Sequence, residues 1–69
     1  MAAYKLLIRA NDCDATTYHK FLPSVLETLF AAGQDDCPGV AVVRRILAKH
    51  GHLTHRYSGG GIRWMIEKF

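Results

Sequence analysis

Long apolar runs are missing from this chain. No stretch approaches the ~18 consecutive apolar residues of a membrane-spanning helix, and the opening Met-Ala-Ala-Tyr-Lys lacks the apolar segment of a secretory leader. Cysteine is scarce too. Cys13 and Cys37 are too few for the disulfide framework of a small secreted domain, so the expected setting is cytoplasmic, with reduced thiols and no membrane contact. Each cysteine sits beside aspartate, in Asp12-Cys13-Asp14 and Asp36-Cys37, which disfavours a thiolate and argues against a nucleophile. Two prolines and six glycines form no linker or low-complexity stretch, so residues 1–69 are expected to be a single domain. A chain this short buries only about 60% of its unfolded surface. Such a core leaves no room for a cofactor cleft; the expectation is a non-enzymatic protein without cofactor, forming a homodimer that supplements its thin interior.

Carboxylates are nearly absent from the second half. Residues 1–39 carry Lys5, Arg9 and Lys20 against Asp12, Asp14, Glu27, Asp35 and Asp36. Residues 40–69 carry Arg44, Arg45, Lys49, Arg56, Arg63 and Lys68 against Glu67 alone, with His50, His52 and His55 in the same half. The formal net charge of +3 therefore conceals a strongly basic C-terminal half, which points to a polyanion or an acidic protein surface as partner.

Apolar residues make up 49% of the chain, and their spacing predicts the elements. Tyr4 to Ala10 alternates, with Tyr4, Leu6, Ile8 and Ala10 on one face, which predicts a half-buried strand. Asn11-Asp12-Cys13-Asp14 is turn chemistry, and an aspartate or Thr16/Thr17 is suited to cap a following helix. Tyr18, Phe21, Leu22, Val25, Leu26, Leu29 and Phe30 recur at steps of three and four, an apolar helical stripe. Pro23 requires that helix either to begin near His19, with the proline in its first turn, or to kink; Gly33 ends it. Residues 34–39 form a breaker-rich connection. Val40 to His50 is a second helix, with Val40, Val43, Ile46 and Leu47 as its buried stripe and Gly51 beyond its end. His52 to Ser58 and Ile62 to Lys68 are two strands joined by Gly59-Gly60-Gly61. The predicted fold is α+β, βααββ: a three-stranded antiparallel sheet with a C-terminal β-hairpin packed on two helices. Trp64, Tyr57, Phe21 and Phe30 are its expected aromatic core, while Leu7 and Met65 fall on the outer sheet face.

Val42 to Gly51 (V-V-R-R-I-L-A-K-H-G), followed by the hairpin carrying Arg56 and Arg63, resembles the recognition helix and wing of winged helix-turn-helix DNA-binding domains. The resemblance covers roughly residues 28–69 and rests on pattern. It implies that Arg44, Arg45 and Lys49 face the major groove while Arg56, Ser58 and Arg63 contact backbone or minor groove. These six are the candidate contact set of a small DNA- or RNA-binding regulator. The alternative is a small protein-binding inhibitor or adaptor, such as a phage-encoded host-directed inhibitor, docking by its basic surface or an exposed strand edge.

Other chemistry is less legible. His50-x-His52-x-x-His55 has metal-binding residue types, but His52 and His55 point to opposite faces of a strand, so no metal is assigned. The triple glycine joins strand to strand, whereas a phosphate-binding loop leads into a helix. Ser24 and Ser58 have no base implied by spacing. A ribonuclease using His55 with Arg56 or Arg63 as acid–base and phosphate-binding groups is compatible with the residue types alone.

Overall fold

The computed structural model describes residues 3–10 and 13–69. Their order is β1 (Tyr4–Ala10), β2 (Cys13–His19), α1 (Leu22–Ala31), α2 (Val40–His50), β3 (His52–Arg56) and β4 (Ile62–Lys68). All strands join one antiparallel sheet in the order β2-β1-β4-β3. This corrects the expected βααββ fold with three strands: the protein is α+β, but with a four-stranded sheet and the order ββααββ.

The extra strand occupies residues read from sequence as a turn and the start of a helix. The Asn11-Asp12 part of that turn lies outside the described residues. Ala15-Thr16-Thr17-Tyr18 is rich in β-branched and aromatic residues, which suit a strand. Every side chain from Cys13 to Tyr18 is nevertheless exposed, so β2 never shows the apolar–polar alternation that marks a half-buried strand. Its partner supplies the missing signal: seven consecutive pairs, from Tyr4↔His19 to Ala10↔Cys13, hold it against β1.

Helix α1 consequently starts late. Phe21 is its extended N-cap and offers no side-chain hydrogen bond, while Thr16 and Thr17 lie in β2 and cap nothing. Pro23 falls in the first turn, where a missing N–H is harmless and the fixed φ is already helical. At the other end Gly33 has φ +81°. Its N–H donates to the Phe30 carbonyl at 3.0 Å and the Gln34 N–H to the Leu29 carbonyl at 2.9 Å, the paired bonds by which a left-handed residue closes a helix.

Both helices lie on the sheet face that carries Leu6, Trp64 and Ile66. Helix α1 packs on β1 and β2, α2 on β3, and the two helices touch. The core is Leu6 from β1, Leu22, Val25 and Leu29 from α1, Val43 and Leu47 from α2, and Trp64 and Ile66 from β4. Of the four aromatic residues expected inside, only Trp64 is there; Tyr57, Phe21 and Phe30 are exposed. Phe21 precedes the helix, Phe30 lies one step round from the buried Leu29, and Tyr57 follows the end of β3. Among the described residues no polar or charged side chain is fully buried. The radius of gyration, 11.3 Å, matches the ~11 Å of a fully compact chain of this length, so eight buried residues suffice to close the layers. The opposite sheet face carries Leu7, Thr16, Thr54 and Met65 in one row across all four strands and no helix covers it.

The indole of Trp64 is 1% exposed, and its N–H meets no acceptor among the described residues. The ring's value is therefore its volume. Trp64→Ala is expected to cost about 3–5 kcal/mol, enough to unfold much of a small domain, whereas Trp64→Phe keeps most of the packing and discards the unpaired donor. Urea denaturation checks this: equal losses for the two variants would contradict it.

Candidate nucleic-acid interface

Helix α2 contains no carboxylate (V-A-V-V-R-R-I-L-A-K-H). Val43 and Leu47 are buried and Val40 and Ile46 are partly so, leaving Arg44, Arg45 and Lys49 in solvent. At 3.6 residues per turn Arg45 stands almost opposite Val43, Lys49 continues its stripe one turn later, and Arg44 flanks it. Among the described residues none of the three cations is held by an ion pair or side-chain hydrogen bond. Lys49 and His50 in the last turn face the negative end of the helix dipole. Gly51, with φ +79°, ends the helix by donating its N–H to the Leu47 carbonyl at 2.8 Å, and its own carbonyl accepts from Lys68 N–H at 2.9 Å. That last bond ties the C-terminal end of α2 to β4.

The hairpin cations are placed differently. Between β3 and β4 the register shifts, with His55 opposite Trp64 but Arg56 opposite Ile62. Arg63 is thus the extra residue of a bulge, and a bulge re-aims the side chain it carries. Its Nη1 donates to Asp36 Oδ2 at 2.6 Å, and its guanidinium lies 4.7 Å over the Tyr57 ring. His55 Nε2 stands 3.6 Å from the same Asp36 oxygen, and the His55 ring stacks on Trp64 at 5.3 Å. Arg56 Nη1 donates to the Gly60 carbonyl at 3.0 Å across its own loop. Ser58 is exposed in that loop, which is closed by Tyr57 N–H on the Gly61 carbonyl at 2.7 Å and Gly60 N–H on the Tyr57 carbonyl at 2.8 Å.

The six candidate residues therefore divide. Arg44, Arg45 and Lys49 share one exposed helix surface, Arg56 and Ser58 sit at the loop, and Arg63 is neutralised by Asp36. The Asp36 contact spans 27 residues, and no local pattern signals it. The Asp36, His55 and Arg63 group has residue types suited to phosphodiester chemistry, yet the carboxylate holds Arg63 Nη1, and Arg63 Nε is buried with no partner among the described residues.

Sequence spacing also missed a polar chain at the other end of the sheet. His19 Nδ1 and Ser24 Oγ are 2.8 Å apart, and His19 Nε2 and Thr17 Oγ1 are 2.7 Å apart. Among the described residues no carboxylate joins them, so the imidazole acts as a pin between β2 and the first turn of α1. His52 pairs opposite Glu67 and His55 opposite Trp64, on opposite sheet faces; among the described residues no three metal-binding side chains gather. Both cysteines are free thiols. Burial pushes the Cys37 thiol above its ordinary pKa, which keeps it protonated near neutrality. The hydrogen bond from Arg9 holds the Asp14 carboxyl below its usual range. An open groove of about 570 Å³ runs between α1 and the 34–39 connection, lined by Pro23, Leu26, Phe30, Cys37, Pro38 and Val40 among others. No Lys, Arg or His lines it, so it is not part of the basic surface. No helix among the described residues is long and apolar enough to cross a membrane.

Removing Asp36 separates charge from stability. Its ion pairs are 32–48% exposed, so Asp36→Asn is expected to cost no more than about 1 kcal/mol in urea denaturation. It also releases the Arg63 guanidinium, so binding to a phosphate polymer should tighten. Unchanged binding would show that Arg63 is screened by something other than Asp36. No protein-family model, no curated protein and no solved structure matches this chain, so its functional reading rests on the geometry above.

Proposed function

We propose that the protein is a non-enzymatic nucleic-acid-binding regulator whose contact surface is the outer face of α2, with the Arg56 and Ser58 loop as an accessory. The observation that carries this is the uncompensated charge of that helix: three exposed cations, no carboxylate on the element and no ion pair to any of them among the described residues. Guanidinium groups so placed can bond phosphate oxygens, and on a rigid helix they can also reach base edges in a major groove. The resemblance to winged helix-turn-helix domains contributes segment order, a basic helix running into a hairpin, and nothing more specific.

A second reading is a protein-binding inhibitor or adaptor that docks the same helix on an acidic protein surface. It is favoured by Ala41, Val42 and Ala48, which lie exposed among the cations and give that face an apolar strip that a phosphate chain does not use.

The test is the salt dependence of binding to labelled duplex DNA and to RNA by fluorescence anisotropy. Affinity falls with a log–log slope of about −0.9 per neutralised phosphate, so three contacts per chain give about −3. Arg44→Ala with Arg45→Ala should flatten the slope by about 2, whereas Arg63→Ala should leave it unchanged. Absence of binding at low salt, or a slope indifferent to Arg44 and Arg45, would overturn the nucleic-acid reading. Binding to an acidic protein that falls with Val42→Ser would support the second.

A further inference from the structure

We infer that the free edge of β2 is a self-association surface, and that two copies pair their β2 strands antiparallel about Thr16 to form a continuous eight-stranded sheet. This goes beyond the nucleic-acid reading and stands on different residues.

The sheet ends in two edges of unlike character. β3 is the guarded one: five residues long, slipping register against β4 at Arg56 and carrying His52 and Arg56. Short length, bulges and charge are the devices that discourage edge pairing. β2 has none of them. It is seven residues of unbroken register with no proline and no lysine or arginine. Its single carboxylate, Asp14, is already bound by Arg9 through Nε at 2.8 Å and Nη2 at 3.2 Å.

The direction of the backbone groups sets the register. Ala3 N–H donates to the His19 carbonyl, so His19 turns its backbone towards β1. By the alternation of an antiparallel ladder, Thr17, Ala15 and Cys13 do the same, which leaves Asp14, Thr16 and Tyr18 presenting N–H and C=O to the free edge. Centring a second β2 on Thr16 matches these groups as Asp14 with Tyr18, Thr16 with Thr16, and Tyr18 with Asp14, for about six backbone hydrogen bonds. The intervening pairs are Ala15 with Thr17 and Cys13 with His19. No like charges meet in this register. Ser24, bonded to His19, marks the β2 side of α1, and Thr28 one turn further along that side is small.

Charge opposes a second copy less at this edge than at the other. β2 belongs to the acidic half of the chain, while the cations of α2, β3 and β4 lie at the opposite end of the sheet order. Joining at β2 keeps the two basic halves apart; joining at β3 would bring Arg56 and His52 of both copies together. It also leaves both α2 faces accessible, so dimerisation and nucleic-acid binding fail independently.

Thr16 meets its own counterpart in this register, which gives a selective test by sedimentation equilibrium of the intact protein. The wild type is expected at twice the monomer mass at high micromolar concentration. Thr16→Lys and Thr16→Glu each place like charges opposite one another at an exposed site, so each should weaken the dimer at least tenfold with an unchanged circular dichroism spectrum. Mixing the two variants should restore it as a heterodimer. A wild type that stays monomeric, a dimer indifferent to either substitution, or loss in both without recovery on mixing would each overturn the proposal.

Discussion

The contact between Arg63 and Asp36 organises the charge of this molecule. It links the connection between the helices to β4, lies against Tyr57, and shares its carboxylate with a histidine stacked on the core tryptophan. It exists because β4 carries one residue more than β3 at that point, which turns Arg63 aside from its regular position in the strand. One guanidinium is thereby withdrawn from the basic half, while among the described residues Arg44, Arg45 and Lys49 stand together on one helix without an ion pair. A partly exposed ion pair of this kind adds little stability. Its consequence is the placement of charge.

The layers impose a second constraint. Eight apolar side chains fill the space between one sheet face and two helices, Tyr4, Ile8, Leu26, Val40 and Leu53 pack partly against them, and several other large hydrophobic groups are left outside. Phe21, Phe30 and Phe69 stay in solvent, and Tyr18 stacks on Phe69 at 6.3 Å on the uncovered face. A domain with so thin an interior gains from burying further surface against a partner. Its two sheet edges are unequal for that purpose: one is short, broken in register and cationic, the other long, regular and nearly neutral.

Legibility followed burial. β1, α2 and β4 were readable because each buries one face, so period two or period 3.6 is written into the chain. β2 was not, because a strand at the edge with both faces in solvent selects no apolar period, and its threonines resemble helix caps when read locally. The start of α1 moved for the same reason: the apolar stripe that included Tyr18 and Phe21 belongs partly to a strand and a cap. For the candidate site, the exposure of Arg44, Arg45 and Lys49 follows from helix geometry alone. The fate of Arg63 depends on a register shift and on a carboxylate far away in sequence, and neither leaves a local trace. The His19 to Ser24 contact was hidden likewise, since it needs β2 to exist.

The central claim is that cations on one helix are available to a polyanion while the bulged arginine of β4 is not. Side-chain Nε–Hε resonances of the arginines, followed by NMR during titration with a duplex oligonucleotide, read this residue by residue. The account predicts progressive shifts for Arg44 and Arg45 with the Arg63 resonance stationary. A moving Arg63 signal with Arg44 and Arg45 unmoved would contradict it.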